Sequence, residues 1–252
     1  MHKIEIIAEC GISHNGDMQL AQNMITVAKR MGADVAKFQL YSVDAIFPDK
    51  RVMAQGRNWY DEVKKTELTY EQTAWLAAYC KKIGIEFLAS CYDLERFAWL
   101  EEIGVRGYKV GTRYKSRELI KTIAETGKET LISLERDHVF WRGICKEYFG
   151  NRAKYLYCIP KYPTGLADLH LEMIGFTDTS NPNTAYYPFD GFSDHSVGIE
   201  ASMIAMARGA RIIEKHFTLN KNDQSGPDHI CSAEPHELKR LVEFARLVEK
   251  SL

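Results

Sequence analysis

The sequence has no cysteine pattern of the kind that marks a disulfide-stapled or zinc-ribbon protein. Its six cysteines are scattered over 252 residues and form no CxxC pair. A chain of this length can bury enough apolar surface to fold without covalent staples. We therefore expect reduced thiols and a cytoplasmic protein.

A surplus of charge and a long apolar run are also absent. The formal net charge is -1, with Lys and Arg scattered among Asp and Glu rather than gathered in a basic stripe. This balance argues against nucleic acid and against a charged membrane surface as partners. No apolar stretch is long enough to span a bilayer, and the N-terminus shows no signal-peptide pattern.

Short apolar runs alternate regularly with longer segments of helical period, without a linker or a low-complexity stretch between them. This alternation predicts βα units with a parallel sheet in one domain, residues 1–252. The eight runs are KIEIIAE (3–9), DVAKFQL (34–40), IEFLAS (85–90), GYKVGT (107–112), TLISL (130–134), KYLYCI (154–159), a weak FDGFSD (189–194) and RIIEKHF (211–217). Eight strands with helices between them predict an α/β fold, a single (β/α)8 TIM barrel.

The segments between the runs carry ordinary helix signals. Asp17 is suited to cap the first helix, and Thr69 with Gln72 forms a capping box ahead of another. Pro235 suits the first turn of a last helix. The predicted inward stripe of that helix is Leu238, Leu241, Val242, Ala245 and Val248.

Several predicted strands contain charged residues, although strands of a parallel barrel are buried on both faces. Side chains alternate along a strand, so Glu9, Lys37, Lys109 and Glu214 each fall on one defined face near a carboxyl end. In a barrel that end is the mouth, where such proteins keep their chemistry. The alternatives are solvated rim residues, an ion pair that fills a layer, or an error of parity that places a lysine outside the barrel.

Two histidines, His195 in GFSDHS and His216 in EKHF, follow adjacent predicted strands. Neighbouring strands lie roughly 5 Å apart, so both imidazoles could reach one ion at the rim. Such a pair is a partial ligand set for Mn, Zn, Fe or Co. The pair alone leaves a structural or acid/base role as open as a metal site.

Four long motifs together resemble the N-acetylneuraminate (sialic acid) synthase family. They are IIAECGISHNGDMQLAQNMITVAKRMGADVAKFQ, FLASCYDLERFAWLEEIGVRGYKVGT, GFSDHSVGIEA and IIEKHFTLNKNDQSGPDHICSAEPHELKRLVE. The resemblance extends from Ile6 to Glu249 in the same order. It implies a (β/α)8 barrel that condenses phosphoenolpyruvate with an N-acyl sugar aldehyde to give a 2-keto-3-deoxy sugar acid and phosphate.

The resemblance also assigns roles to residues. It implies that His195 and His216 hold a divalent metal, with Mn²⁺ expected and Mg²⁺ or Co²⁺ as alternatives. The implied catalytic residues, which neutralise phosphoenolpyruvate or transfer protons, are Glu9, Lys37, Lys109 and Asp228. The implied substrate-binding residues are Gln39, Ser90, Thr112, Ser133, Tyr162 and Ser193. His229 is a further candidate ligand, although we expect a solvent-facing loop histidine there.

Departures from the family pattern fall at the positions that face the sugar. Thr112-Arg113-Tyr114 stands where the family has a Ser-Gly-Glu word, and Ser133-Leu134-Glu135 replaces Ser-Thr-Gly. We also expect the chain to lack the family's antifreeze-like domain, which lends an arginine to the partner subunit's sugar site. We therefore expect an acceptor other than plain N-acetylmannosamine, or a missing arginine that comes from a homodimer or from a separate partner chain.

Two other functions fit parts of the pattern. A metal-dependent sugar isomerase or aldolase on a barrel would explain the histidines without phosphoenolpyruvate. A barrel that binds sugar or phosphate without turnover would explain the departures. The joint presence of Lys37, Lys109, His195, His216 and Asp228 favours the synthase.

Overall fold

A computed structural model describes residues 3–136, 138–175 and 189–251, and eight of its ten strands close into a parallel barrel. The strands are β1 (Glu5–Gly11), β2 (Val35–Leu40), β3 (Met53–Ala54), β4 (Arg57–Asn58), β5 (Glu86–Cys91), β6 (Gly107–Val110), β7 (Glu129–Leu134), β8 (Ala153–Cys158), β9 (Gly191–Asp194) and β10 (Ile212–His216). Around the barrel the order is β1-β10-β9-β8-β7-β6-β5-β2, and β3 and β4 form a separate hairpin. All eight predicted strands, the weak one included, are confirmed.

Helices surround the barrel. They are α1 (Met18–Met31), α2 (Val43–Ile46), α3 (Tyr60–Lys64), α4 (Tyr70–Ile83), α5 (Leu94–Ile103), α6 (Arg117–Glu125), α7 (Val139–Phe149), α8 (Glu200–Ala207) and α9 (Pro235–Ser251). Between β8 and β9 the described residues form only two 3-10 turns, Leu166–Asp168 and Leu171–Met173. In the described parts of the chain, no helix is both long and apolar enough to cross a membrane.

The helix signals of the sequence are confirmed. The Asp17 side chain accepts hydrogen bonds from the backbone N–H groups of Gln19 and Leu20, at 2.7 and 3.2 Å. Thr69 and Gln72 form both bonds of a capping box. All five residues of the predicted α9 stripe are buried, so this helix packs through the face that its period indicated.

The barrel interior is closed by an apolar layer below the polar mouth. The residues of this layer are Ile7, Val35, Leu88, Leu131, Leu156 and Ile212. Gly191 allows β9 to approach β10, since a Cβ there would lie 2.1 Å from the Ile212 carbonyl oxygen. The apolar layer fills the barrel interior, and the charged side chains pack on its mouth-facing side.

His14, in the loop after β1, is fully buried and lies against Phe38 with 6.0 Å between ring centroids. Its Nδ1 accepts a hydrogen bond from the Gly16 N–H at 3.2 Å, which requires an unprotonated nitrogen. Burial disfavours the charged ring and lowers the pKa of His14 to about 4, from an ordinary value of 6.5. The folded protein therefore holds this imidazole neutral.

This buried histidine makes the stability depend on pH. Between pH 6.5 and pH 4 the unfolded chain binds the proton and the folded chain does not, so stability falls as the pH drops through that window. We expect His14 alone to lower the free energy of unfolding by about 2 kcal/mol between about pH 7 and pH 5. Urea unfolding of the wild type and His14→Asn, which keeps an acceptor but cannot ionise, measures this difference. Parallel pH dependences for the two proteins would contradict it.

Candidate active site

A cavity opens to solvent at the carboxyl end of the barrel strands. The residues predicted as catalytic, substrate-binding or the metal-binding pair all line it: Glu9, Lys37, Gln39, Ser90, Lys109, Thr112, Ser133, Tyr162, Ser193, His195, His216 and Asp228. The charged strand residues therefore lie on the strand faces that the sequence predicted, directed into the barrel. The structure brings these side chains together, while their individual roles stay predictions.

Lys37, on β2, lies at the centre of the polar group. Its Nζ forms an ion pair with Glu9, lies 3.8 Å from Glu214 Oε2 and donates to the Ser90 hydroxyl at 3.1 Å. The Lys37 side chain is 3% exposed, so this charge is almost wholly removed from bulk water. A buried ammonium with two carboxylates and a hydroxyl around it is held in one geometry.

Glu214, on β10, joins the two lysines and is the site residue that the sequence left without a role. Its Oε2 lies 3.5 Å from Lys109 Nζ, and its Oε1 accepts a hydrogen bond from the Ser193 hydroxyl at 2.7 Å. Burial alone would raise the pKa of Glu214, but Lys109, Lys37 and Ser193 outweigh it and lower the pKa to about 2. The sequence did carry a signal, because Glu214 is charged and shares a strand face with His216.

Glu9, at the end of β1, is oriented by a local irregularity of that strand. The register between β1 and β2 shifts between Glu9 and Gly11, which is the mark of a bulge. Gly11 has φ +43°, and a Cβ there would lie 2.8 Å from Glu9 Oε1. Gln39 donates to that same Oε1 at 2.9 Å. The bulge and the glycine thus leave room for the carboxylate beside Lys37.

The ring of His195 is fixed by its backbone surroundings. Its Nδ1 lies 2.7 Å from the Ile159 carbonyl oxygen, and because a carbonyl only accepts, Nδ1 carries the proton. In the neutral ring the lone pair is then on Nε2, which lies 3.1 Å from the Tyr162 hydroxyl. The predicted substrate-binding Tyr162 therefore contacts His195, and its ring stacks on the imidazole with 4.1 Å between centroids.

His216 lies opposite His195, with 5.3 Å between the ring centroids. Its buried Nδ1 has no hydrogen-bond partner in the described structure and lies 3.5 Å from the Asp228 carboxylate. Burial lowers the pKa of His216 far below its usual value and raises that of Asp228 to about 6. The two imidazoles are a donor pair of the kind that fits a divalent transition metal.

His229 is a correction to the sequence expectation. We expected a solvent-facing loop histidine, but this side chain is 2% exposed. Its Nδ1 lies 2.9 Å from the Thr218 hydroxyl, and its Nε2 lies 3.4 Å from Asn15 Oδ1. The loop that carries Asp228 folds back on the loop after β1, and His229 joins the two.

The outer part of the cavity has an apolar wall that sequence reasoning missed. Most of it comes from the long segment between β2 and α4, which contains α2 and the β3–β4 hairpin. This outer wall consists of Ile46, Phe47, Val52, Met53, Tyr92 and Tyr114. The short elements of this segment give little periodic signal, so only the structure places the segment over the barrel mouth.

An ion pair on the outer side of the barrel sits directly behind the two histidines. Asp194 precedes His195, Lys215 precedes His216, and their charged groups are 3.2 Å apart and fully buried. Asp194 also accepts hydrogen bonds from Ser196 and Ser202, and Lys215 donates to the Ser196 carbonyl oxygen at 2.6 Å. The pair therefore ties β9 to β10 at the residues next to the imidazoles.

Together, the fold and the site define a (β/α)8 barrel protein with a pocket of buried lysines and serines beside a pair of imidazoles. Ser133 adds to this pocket a buried hydroxyl that has no hydrogen-bond partner in the described structure. Such convergent polar groups at the carboxyl end of a barrel mark a binding or catalytic site.

The sequence profile of the NeuB family matches residues 24–252, and the chain belongs to that family. It is 34% identical to the N,N'-diacetyllegionaminic acid synthase of Campylobacter jejuni, over 100% of this chain and 78% of that protein. It is 32% identical to the human N-acetylneuraminate-9-phosphate synthase, over 100% of this chain and 72% of that protein.

A solved structure is similar over the whole barrel. The crystal structure of the N-acetylneuraminic acid synthetase of Leptospira borgpetersenii, in complex with citrate, superposes with a TM-score of 0.84. The match covers 99% of this chain and 85% of that one, at 30% identity. The family resemblance and the barrel fold expected from the sequence are both confirmed.

Proposed function

We propose that the protein condenses phosphoenolpyruvate with a sugar aldehyde to give a 2-keto-3-deoxy sugar acid of the sialic acid type. C3 of phosphoenolpyruvate forms a bond to the aldehyde carbon, water adds at C2, and the C2–O bond to phosphate breaks. The observation that carries this proposal is the pairing of two buried lysines, which suit a dianionic phosphate and a carboxylate, with an imidazole pair in one cavity. The names of the relatives support the product class.

In this proposal the lysines position phosphoenolpyruvate. Lys37 and Lys109 neutralise its carboxylate and phosphate, and the hydroxyls of Ser90, Ser133 and Ser193 donate to its oxygens. Ser133 supports this role because its buried oxygen has no partner in the described structure. Glu214 keeps both ammonium groups directed toward the cavity.

The imidazole side of the cavity receives the aldehyde. His195 and His216 would hold a divalent cation, Mn²⁺ or alternatively Mg²⁺ or Co²⁺, which when bound supplies Lewis acidity toward the aldehyde oxygen. Asp228, with its pKa raised to about 6 by burial, is suited to exchange a proton near neutral pH. Glu9 lies across the cavity beside Gln39, where it can bind a hydroxyl of the acceptor or transfer a proton.

The residues expected to bind the acceptor sugar are the ones that differ from the family pattern. Tyr114 lines the cavity where the family pattern has an acid, so the pocket presents a phenol to the acceptor. A pocket loses affinity for a substrate whose polar groups it leaves unpaired. We therefore propose an acceptor other than plain N-acetylmannosamine, or an arginine supplied by another chain.

The test is phosphate release by the purified protein with Mn(II), phosphoenolpyruvate and a panel of hexose and aminohexose aldehydes. We expect release that depends on the acceptor and is lost in His216→Ala. Absence of release with every aldehyde would count against the synthase. If N-acetylmannosamine gave by far the best kcat/KM without a partner protein, the proposal about the acceptor would be wrong.

A further inference from the structure

The β3–β4 hairpin covers one side of the barrel mouth. Two residues of each strand pair, and Gln55 and Gly56 form the turn at the tip. Both turn residues have positive φ, +53° and +74°, the combination that the two-residue type I′ turns of hairpins require. Met53 and Ala54, on the first strand of the hairpin, line the cavity. The hairpin is therefore part of the cavity wall.

The hairpin is held together by its own residues. Asn58 Oδ1 accepts a hydrogen bond from the Val52 N–H at 2.8 Å, and the Asn58 amide donates to the Lys50 carbonyl oxygen at 3.2 Å. The Trp59 backbone and indole N–H groups donate to the carbonyl oxygens of Val52 and Ala54, at 2.7 and 2.8 Å. The Trp59 ring is buried in an apolar cluster of the same segment. The hairpin is therefore a self-contained unit that is anchored at its base.

One hydrogen bond joins the tip of the hairpin to the other side of the mouth. The Gln55 amide nitrogen donates to the Pro227 carbonyl oxygen at 2.9 Å, although 172 positions of sequence separate them. Gln55 belongs to the segment after β2 and Pro227 to the loop after β10, and β1 lies between those two strands in the barrel. Within the described part of the chain, the other hydrogen bonds of residues 53–58 stay inside residues 50–60. The tip is therefore held by Gln55.

The Pro227 carbonyl belongs to the peptide unit that carries the Asp228 N–H. Among the hydrogen bonds of the described residues, the bond from the hairpin alone reaches Gly226 or Pro227. The chain after Asp228 is held separately, because the Asp228 carbonyl oxygen accepts from Ser232 Oγ at 2.8 Å and from the Cys231 N–H at 3.2 Å. The orientation of the peptide before Asp228, and with it the position of the carboxylate, therefore depends on the hairpin.

From this geometry we infer that Gln55 is a positioning residue, which closes the hairpin over the cavity and holds Asp228 in place for the reaction. The inference rests on the proposed function, in which Asp228 exchanges a proton. Proton transfer requires the carboxylate within about 3 Å of the reacting group, so a small displacement of its backbone lowers the rate. A bond from an amide to a carbonyl is neutral and of modest strength, which allows the hairpin to open for substrate and product.

Two variants remove the bond and keep the turn. Gln55→Glu has the same size, but its carboxylate cannot donate to the Pro227 carbonyl oxygen. Gln55→Asn has an amide that is one carbon too short, while Asn is favoured in this kind of turn. We expect kcat of phosphate release to fall about tenfold in Gln55→Glu and about three- to tenfold in Gln55→Asn, with KM for phosphoenolpyruvate within about twofold of the wild type. An unchanged kcat in Gln55→Glu would overturn the positioning role.

Trypsin measures the closure without turnover. Cleavage after Arg51 or Arg57 needs an extended segment, so its rate reports opening of the hairpin. We expect this cleavage to be about tenfold faster in Gln55→Glu than in the wild type, with the same midpoint of urea unfolding.

The matched control is Gln224→Glu, which adds the same charge to the loop after β10. The Gln224 amide donates to the Asn222 carbonyl oxygen at 3.2 Å, within that loop, so we expect wild-type kcat and wild-type cleavage. Equal cleavage rates in Gln55→Glu and Gln224→Glu would overturn the closure of the hairpin. Absence of phosphate release from every protein, the wild type included, would reject the proposed reaction and the positioning role with it, while the cleavage rates would still decide the closure.

Discussion

Replacing Lys109 with Met should nearly abolish turnover of phosphoenolpyruvate. The substitution keeps the length of the side chain but removes a charge that is proposed to bind an anionic group, and it leaves Glu214 with Lys37 alone at 3.8 Å. Truncating one partner of a buried charge pair costs about 2–5 kcal/mol, or roughly 30- to 5000-fold in kcat/KM. Initial rates of phosphate release over a range of phosphoenolpyruvate concentrations measure the effect.

The control is Lys154→Met, at the opposite end of the barrel. Lys154 is the second residue of β8, its side chain is 43% exposed, and its Nζ lies 3.9 Å from Asp190 Oδ1. Its loss should therefore leave kcat/KM unchanged within about a factor of two. If Lys109→Met behaved like Lys154→Met, Lys109 would not contact the substrate. Thermal melts of both variants show whether folding is intact.

The largest effect on stability should come from the buried pair behind the histidines. Lys215→Met leaves the Asp194 carboxylate in a fully buried position, with hydroxyls and an N–H but no cation beside it. Removing one partner of a buried pair typically costs about 3–5 kcal/mol, because the other charge stays uncompensated. We expect the free energy of unfolding, from urea titration at about pH 7, to fall by that amount.

Two further variants test whether the uncompensated Asp194 charge causes the loss of stability in Lys215→Met. The double variant Asp194→Asn/Lys215→Met removes both charges and should recover part of the loss, since the desolvation penalty disappears with them. Lys121→Met breaks the exposed Lys121–Glu125 pair on α6 and should cost less than about 1 kcal/mol. A Lys215→Met effect no larger than that of Lys121→Met would contradict the account of the pair.

Most of the barrel could be predicted because periodicity and capping are local. The charged residues were predicted at the mouth because they interrupt runs that should be apolar, and alternation assigns their face. Glu214 also interrupts an apolar run. Its position in the strand, however, cannot distinguish a carboxylate that orients other side chains from a catalytic carboxylate. The link between Tyr162 and His195 was out of reach, since it depends on the path of the loop after β8.

The outer wall was missed for a different reason. Its residues come from α2, from a hairpin with strands of two residues each and from the loops after β5 and β6. Elements this short are stabilised by individual side-chain contacts, such as the hydrogen bond from the Trp59 indole to the Ala54 carbonyl oxygen within the same segment, rather than by a periodic pattern of their own. The expectation of a homodimer or a partner chain stays a prediction.

The most direct test of the proposed reaction follows one oxygen atom. Phosphoenolpyruvate labelled with ¹⁸O at the bridging position is incubated with the protein, Mn(II) and an aldehyde acceptor, and the phosphate is examined by phosphorus NMR. Condensation breaks the bond between C2 and the bridging oxygen, so all released phosphate should carry the label, and carbon NMR of the product should show a new C2 hemiketal carbon. Unlabelled phosphate with pyruvate as the product would show cleavage of the P–O bond and would contradict the synthase.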